Sequence, residues 1–390
     1  MVLLKFLLPI FFIIFTFAEL LRLQLGKSIS VGFIDIVILG IVISWIFFVK
    51  KSKYKLKIPI ILFLIVCILS QIYNLGNFDI VQIKVGLLYL IRWSLYASLY
   101  FVFVDIGKKY LRNIKSYMLV SGIFILLFGF IQYLYYPSLK NLYYLGWDDH
   151  LYRLFSSFLD PNFAGVFIVL FIIFIYFQKF KNKYTYYGLL LVSFIALILT
   201  YSRGAILMLL VSTFTYSLLN KNYKLIGGLI GVLVLITIAL SPNFHTVNTD
   251  LFRMPSLAQR IENTKQTLFV FEKNPVFGVG FNNFRYARDR YIQKDWVEYP
   301  SHAGAGSDNS FALILATAGI PGFLAYMLLL YKIFKLGLNN LKKNPYAWIL
   351  VISLAGLIAN SFLLNSLFYS FIMIWMWIVI GLTESSGHRE

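Results

Sequence analysis

Residues 83–136 read IKVGLLYLIRWSLYASLYFVFV (83–104), DIGKKYLRNIKS (105–116) and YMLVSGIFILLFGFIQYLYY (117–136). The two flanking segments are each long enough to cross a bilayer core of about 30 Å as a helix. The segment between them carries Lys108, Lys109, Arg112 and Lys115. Apolar run, short basic loop, apolar run is the repeating unit of a polytopic membrane protein, because basic loops at helix ends stay on the cytoplasmic side. Arg92 lies inside the first run. An intramembrane charge is costly, so it is expected to face the bundle interior, either in a structural pair or turned towards a substrate.

The same unit recurs along the chain. Of 390 residues, 60% are hydrophobic and 13% charged. Soluble domains carry roughly 45–50% apolar and about 25% charged residues. A soluble globular protein, a disordered chain and a DNA-binding module are thereby excluded. Twelve spans are predicted, near 2–20, 31–49, 58–74, 83–104, 117–136, 162–178, 185–201, 204–219, 225–241, 309–331, 347–363 and 366–383. Loops 50–57, 105–116, 179–184, 220–224 and 332–346 hold five, four, three, two and four Lys or Arg. They are every second connection, which places these loops and both termini in the cytoplasm. The net charge of +19 is therefore a matter of membrane orientation and not of nucleic acid. The run Val2–Leu20 has no basic stretch before it and no small-x-small cleavage site, so it is expected to stay as the first span. Cys67 is the only cysteine, which rules out an intrachain disulfide. The fold class expected is an all-α polytopic membrane protein, residues 1–390 forming one membrane domain.

This orientation puts 74–82, 137–161, the turn 202–204 and the long segment 242–308 outside. The last is too long for a passive connection. Within it Leu257, Ile261, Thr264, Leu268 and Phe271 recur every three or four residues, which predicts an amphipathic helix over 256–272.

The chemistry-bearing residues gather on this outer side. No Walker loop, HExxH or CxxC pair is present, and the basic loops are too short for a nucleotide-binding domain. Arg203, in Thr200-Tyr201-Ser202-Arg203-Gly204-Ala205, offers a planar fork suited to phosphate, or else snorkels at the interface. Arg153 precedes Asp160-Pro161-Asn162, which reads as a helix start and also as an anion or sugar site. Arg260 lies on the amphipathic helix, as a solvated side chain or as a ligand. It is followed by Gly278 and Gly280, which permit close backbone approach. Asp308 and Asn309 enter span ten, where a carboxylate serves as a helix cap or as a general base. Asp148-Asp149-His150 is the one combination resembling metal ligands, and a wet acidic loop is its ordinary reading.

Taken in order, RLFSSFLDPNFAG (153–165), TYSRGA (200–205), Arg260 with NPVFGVGFNNF (274–284), and DNSFALILATAGIPG (308–322) resemble the O-antigen ligase and Wzy-type polysaccharide polymerase superfamily of bacterial envelopes. The resemblance implies a GT-C-like bundle and a membrane glycosyltransferase of the cytoplasmic membrane. Its substrates would be an undecaprenyl-pyrophosphate-linked glycan and an acceptor glycan or lipid, with a flippase and a chain-length regulator as partners and no cofactor or metal. It carries over an essential role to Arg203 and Arg260, with Asp308 as catalytic base. Arg153, Asn162, Ser202, Gly278, Gly280, Arg288, His302 and Asn309 are the substrate-binding candidates. Ligases of the family place His at the position of Asp308, and His302 lies six residues earlier. That departure points to repeat-unit polymerisation, with ligation to a lipid or cell-wall acceptor as the alternative. A flippase or transporter is the rival class; it should show polar residues around a midplane site.

Orientation is directly testable. Single cysteines at Lys51 and Lys294, in a Cys67→Ser background, should label from opposite sides with an impermeant thiol reagent. Labelling from the same side would remove every outer candidate from the lipid-linked substrate.

Overall fold

A computed structural model of the chain describes residues 2–24, 30–224, 226–228, 231, 255–292 and 306–385. The span predicted at 225–241 lies almost wholly outside these residues. The described chain is nearly all helix. Helices α1 (Val2–Phe17), α2 (Phe33–Phe48), α3 (Lys57–Tyr73), α4 (Ile80–Tyr135), α5 (Pro161–Tyr176), α6 (Lys183–Leu199) and α7 (Arg203–Asn220) are followed by α8 (Pro255–Lys273) and α9 (Phe284–Tyr291). Helices α10 (Ser310–Asn340), α11 (Pro345–Asn360) and α12 (Ser370–Ser385) complete it. A small antiparallel hairpin, β1 (Arg22–Gln24) and β2 (Ser30–Gly32), pairs Arg22 with Gly32 and Gln24 with Ser30.

Three stretches are apolar and long enough to cross a membrane: Leu3–Leu20, Ile80–Tyr135 and Ser310–Asn340. Six further apolar helices have 16 or 17 residues. At 1.5 Å per residue these reach about 24–26 Å, just short of the bilayer core. The chain is a multi-pass helical membrane protein, and the number of crossings rests on the sequence.

Residues 105–116 are not a loop. The helix continues through them from Ile80 to Tyr135. It is nevertheless not straight. Arg92 and Tyr96 line a small cavity with Ala18 and Glu19, while the Phe128 ring lies 5.3 Å from Phe17. Thirty-six helical residues, laid straight, would separate Arg92 from Phe128 by about 54 Å. Both halves of α4 therefore return to one end of α1, and the axis bends sharply between them.

The core is built around α12, whose residues Phe371 to Ser385 are all buried. A helix apolar on every side belongs at the centre of a bundle. Trp375 is ringed by Phe15, Phe167, Phe171 and Phe174. The peripheral helices instead expose apolar stripes, as with Phe6, Ile10 and Ile13 on α1 or Ile58, Leu62, Ile65 and Leu69 on α3.

The bundle has two distinct ends. Glu384 accepts hydrogen bonds from Tyr100 (2.8 Å) and the Lys55 amide (3.0 Å), and Asp105 accepts from Trp45 and Tyr54 (2.7 Å each). Asn344 donates to the Leu382 carbonyl at 3.0 Å. Basic segments 50–57, 105–116 and 332–346 thus meet at the Glu384 end of α12. The segments holding Arg153, Arg203, Arg260 and Asp308 gather at the opposite end.

Arg92 resolves into a structural pair. It bonds Asp35 (3.0 Å) and the Ser30 carbonyl (2.5 Å), and Asp35 also accepts from Tyr96 (2.5 Å). Asp35→Leu leaves this guanidinium unpaired and should destabilise the protein by about 3–5 kcal/mol. The double variant Asp35→Leu/Arg92→Met removes both charges and should recover most of that loss in thermal unfolding in detergent.

Candidate functional site

The site begins with Arg153. Its side chain is 3% exposed, and its Nε donates to the Thr200 carbonyl at 2.9 Å. Nη2 donates to Asn162 Oδ1 at 3.2 Å and reaches the Tyr201 carbonyl at 3.5 Å. The carbonyls that end α6 have no intrahelical partner, and the guanidinium supplies one. Gln132 of α4 holds the approach: its amide donates to the Arg153 carbonyl, and its oxygen accepts from Phe155 (2.8 Å) and Ser156 (3.1 Å). The Leu154 amide bonds the Leu199 carbonyl at 2.8 Å. The RLFSSFLDPN and TYSRGA segments are therefore one unit.

This unit is strained. Among the described residues, eight non-glycine positions have positive φ, and five of them surround Arg153 and Arg203: His150, Tyr152, Ser156, Leu159 and Tyr201. Each such residue costs on the order of 1–3 kcal/mol and persists only where its surroundings enforce it.

Asp160 caps α5 by accepting from Asn162 (2.6 Å) and Phe163 (3.4 Å), with Pro161 in the first turn. Ser202 caps α7 by accepting from the Ala205 amide at 3.3 Å, and Arg203 is the first helical residue. Gly204 packs so closely that a Cβ would stand 2.9 Å from Asn360 Nδ2.

The second half is built by α8. Arg260 donates to the Leu363 carbonyl at 2.5 Å. One helical turn later, Asn263 accepts from the Asp308 amide at 2.8 Å and donates to the Gly306 carbonyl at 3.3 Å. Thr267 bonds Ser307 at 2.9 Å. Asn309, not Asp308, caps α10, accepting from Phe311 (2.9 Å) and Ala312 (3.0 Å). The Asp308 carboxyl is thus left out of the cap.

Electrostatics joins the two halves. Burial pushes Asp308 above its ordinary value; Arg260 opposes this, and Asp160 and Asp148 add to it. Burial likewise raises Asp148, reinforced by Asp160 and opposed by Arg153. Three carboxyls and two arginines from segments some 160 residues apart therefore share one field.

The other candidates fall around this centre. Gly278 (φ +65°) and Gly280 (φ +93°) make close crossings with protein: a Cβ on the first would meet Thr317 backbone at 2.5 Å, and one on the second Asn283 Nδ2 at 2.7 Å. Arg288 is buried over the Phe284 ring and pairs with its neighbour Asp289 at 3.3 Å. No contact among the described residues joins Arg288 to Asp308. His302 lies outside the described residues. Asp149 accepts a hydrogen bond from the Ser138 hydroxyl. Among the described residues no three His, Cys, Asp or Glu side chains gather closely enough to hold a metal ion.

Sequence reasoning missed Asn263, Asn360 and the carbonyl of Leu363. Asn263 had one available signal, its position three residues after Arg260 on the same helix.

A helical membrane bundle with an arginine–carboxylate mouth at one end defines the class. Residues 188–327 match the family described as O-antigen ligase. The chain is also 31% identical over 142 residues to an O-antigen ligase of Salmonella typhimurium strain LT2, a match covering 34% of each protein. It thus spans about a third of the length of this curated relative. Over these segments the chain is similar to the O-antigen ligase and Wzy-type polymerase superfamily.

The raised carboxyls make a stability prediction. An acid with a raised folded value holds its proton more tightly in the folded state than in the unfolded one. Its contribution to stability is therefore lost as pH rises from its unfolded value, about 4, through the folded one. Asp308→Asn and Asp148→Asn together should flatten the dependence of melting temperature on pH over that window. An unchanged pH slope would show that neither group titrates abnormally.

Proposed function

We propose that the chain is a membrane glycosyltransferase. It moves a glycan from an undecaprenyl-pyrophosphate carrier to an acceptor hydroxyl, at the membrane face opposite the basic loops. The carrying observation is a half-buried Asp308, left out of the α10 cap and within the electrostatic reach of Arg260, beside the Arg153–Arg203 unit. The basic end is read as cytoplasmic, so that both termini face the cytoplasm and the membrane is the inner one; twelve crossings complete this reading.

In the transfer, Asp308 accepts the proton of the acceptor hydroxyl. The freed oxygen attacks the anomeric carbon, and the bond to pyrophosphate breaks with its electron pair going to the phosphate oxygen. Negative charge grows on that leaving group, and Arg203 and Arg260 stabilise it through planar, multiply donating guanidiniums. Attack from the opposite face inverts the anomeric centre. A base raised above the ordinary Asp value is better matched to neutral conditions than an unperturbed one.

Ligation to a separate acceptor is favoured over repeat-unit polymerisation by the description of the matched family and the name of the Salmonella relative. Polymerisation keeps one supporting feature, the aspartate at 308 where ligases of the family place histidine. A flippase would deliver the carrier in either case, and a chain-length regulator would accompany polymerisation.

The test is transfer by purified protein in proteoliposomes supplied with lipid-linked glycan and either an acceptor lipid or further donor. Product on the acceptor lipid means ligase; a ladder of donor-linked repeats means polymerase. Asp308→Asn should lower the rate by roughly 10²–10⁴. Arg203→Lys and Arg260→Ala should each lower it by about 10²–10³, the first despite its retained charge. Full rates in both arginine variants would reject the assignment, and activity lost to EDTA and restored by Mg²⁺ would reject metal-independent transfer.

A further inference from the structure

We infer that the turn after α11, residues 360–369, is part of the site, and that Asn360 is the positioning residue that fixes the Arg203 half against the Arg260 half. The functional side of this inference rests on the transfer reaction proposed above; the geometric side does not.

Five contacts meet in this turn. The Leu363 carbonyl receives Arg260 at 2.5 Å. The Ser361 carbonyl receives the amide of Ser310, two residues after Asp308, at 2.9 Å. The Ser310 hydroxyl donates to Asn365 Oδ1 at 3.0 Å and accepts the Leu367 amide at 3.4 Å. Finally, Asn360 stands against Gly204, next to Arg203. The turn is thus the piece of protein that touches α7, α8 and α10 at once.

Asn360 organises it. The residue is wholly buried. Its carbonyl accepts from the Leu363 (2.8 Å) and Leu364 (3.0 Å) amides, and its side-chain oxygen accepts from the Ser366 hydroxyl. Its Nδ2 has no hydrogen-bond partner and is aimed at the first turn of α7. A buried donor without an acceptor is costly. Its retention here is accounted for if its oxygen must hold the turn closed while its nitrogen fills the space that Gly204 leaves open. Glycine at 204 and asparagine at 360 then form a matched pair that sets one distance.

Spin labels on cysteines at Tyr152 and Gln259, in a Cys67→Ser background, read that distance in the full chain, since both positions are exposed. The parent should give one narrow distribution. Asn360→Ala should broaden or shift it and lower kcat about 10–100-fold with KM little changed, as misplacement of reacting groups does. Gly204→Ala should shift it from the other side, and Asn360→Ala/Gly204→Ala should regain part of both losses because the added methyl enters the vacated space. Ser366→Ala, a smaller change, should move the distribution in the same direction if Asn360→Ala fails to fold. Parental distances and parental kcat in Asn360→Ala and Ser366→Ala would overturn the inference. Shifted distances in a protein whose parent is inert towards lipid-linked glycan would reject the proposed reaction and leave the geometric assignment standing.

Discussion

The arrangement depends on the Arg153 guanidinium closing over the carbonyls of Thr200 and Tyr201. Peptide groups at membrane depth have little water to bond, so the end of a helix there needs a protein partner. An arginine is an expensive partner to bury, but its several donors answer two carbonyls and Asn162 together. With that end closed, the chain turns within a few residues into the Ser202 cap, and Arg203 is held at the first position of α7. The same guanidinium opposes the raised state of Asp148. Its position therefore influences both a helix start and the charge of the mouth.

Strain and burial concentrate at this end of the molecule. The positive-φ residues at 150, 152, 156, 159 and 201 flank the same arginine, held by Gln132 and by the Leu154–Leu199 bond. A second polar group lies immediately behind: Glu19 pairs with Arg22 at 2.7 Å near Tyr369, whose ring stacks 3.8 Å from Phe163. Tyr369 ends the turn that receives Arg260, so the hairpin side of the bundle and the site share a wall. The opposite end, around Asp105 and Glu384, anchors basic segments.

Membrane class and most helix positions were legible because hydropathy and length are read directly from residue type. The segment 105–116 was expected to be a loop because its lysines and arginine mark one by charge, whereas the chain joins the two apolar runs there in helical conformation within the bent α4. The hairpin at 22–32 is too short for an alternating pattern to register. In the site, the ordered segments around Arg153, Arg203, Arg260 and Asp308 were legible one by one. What joins them was not, because the joints are main-chain carbonyls and small amides distant in sequence. Assigning the cap to Asn309 instead of Asp308 needed geometry, since both residue types cap equally well. Gly278 and Gly280 were recognised as points of close approach, but the approaching partner is the protein itself: backbone of Thr317 and Ala318 at the first, the Asn283 and Gln71 side chains at the second.

Anchoring arginines on main-chain oxygens has a consequence for divergence. A carbonyl is supplied by every residue, so the contacts made by Arg153 and Arg260 place no demand on the side chains at 200, 201 and 363. Those two contacts by themselves would survive a change of residue at these positions, although the Thr200 hydroxyl is held separately by the Leu197 carbonyl and the Ser202 amide. Likeness measured by residue identity is then expected to fade sooner than likeness of architecture. The matched family segment, 188–327, accordingly stops short of elements on both flanks that the geometry shows to be continuous with it: the Arg153 segment before it and the Asn360–Tyr369 turn after it.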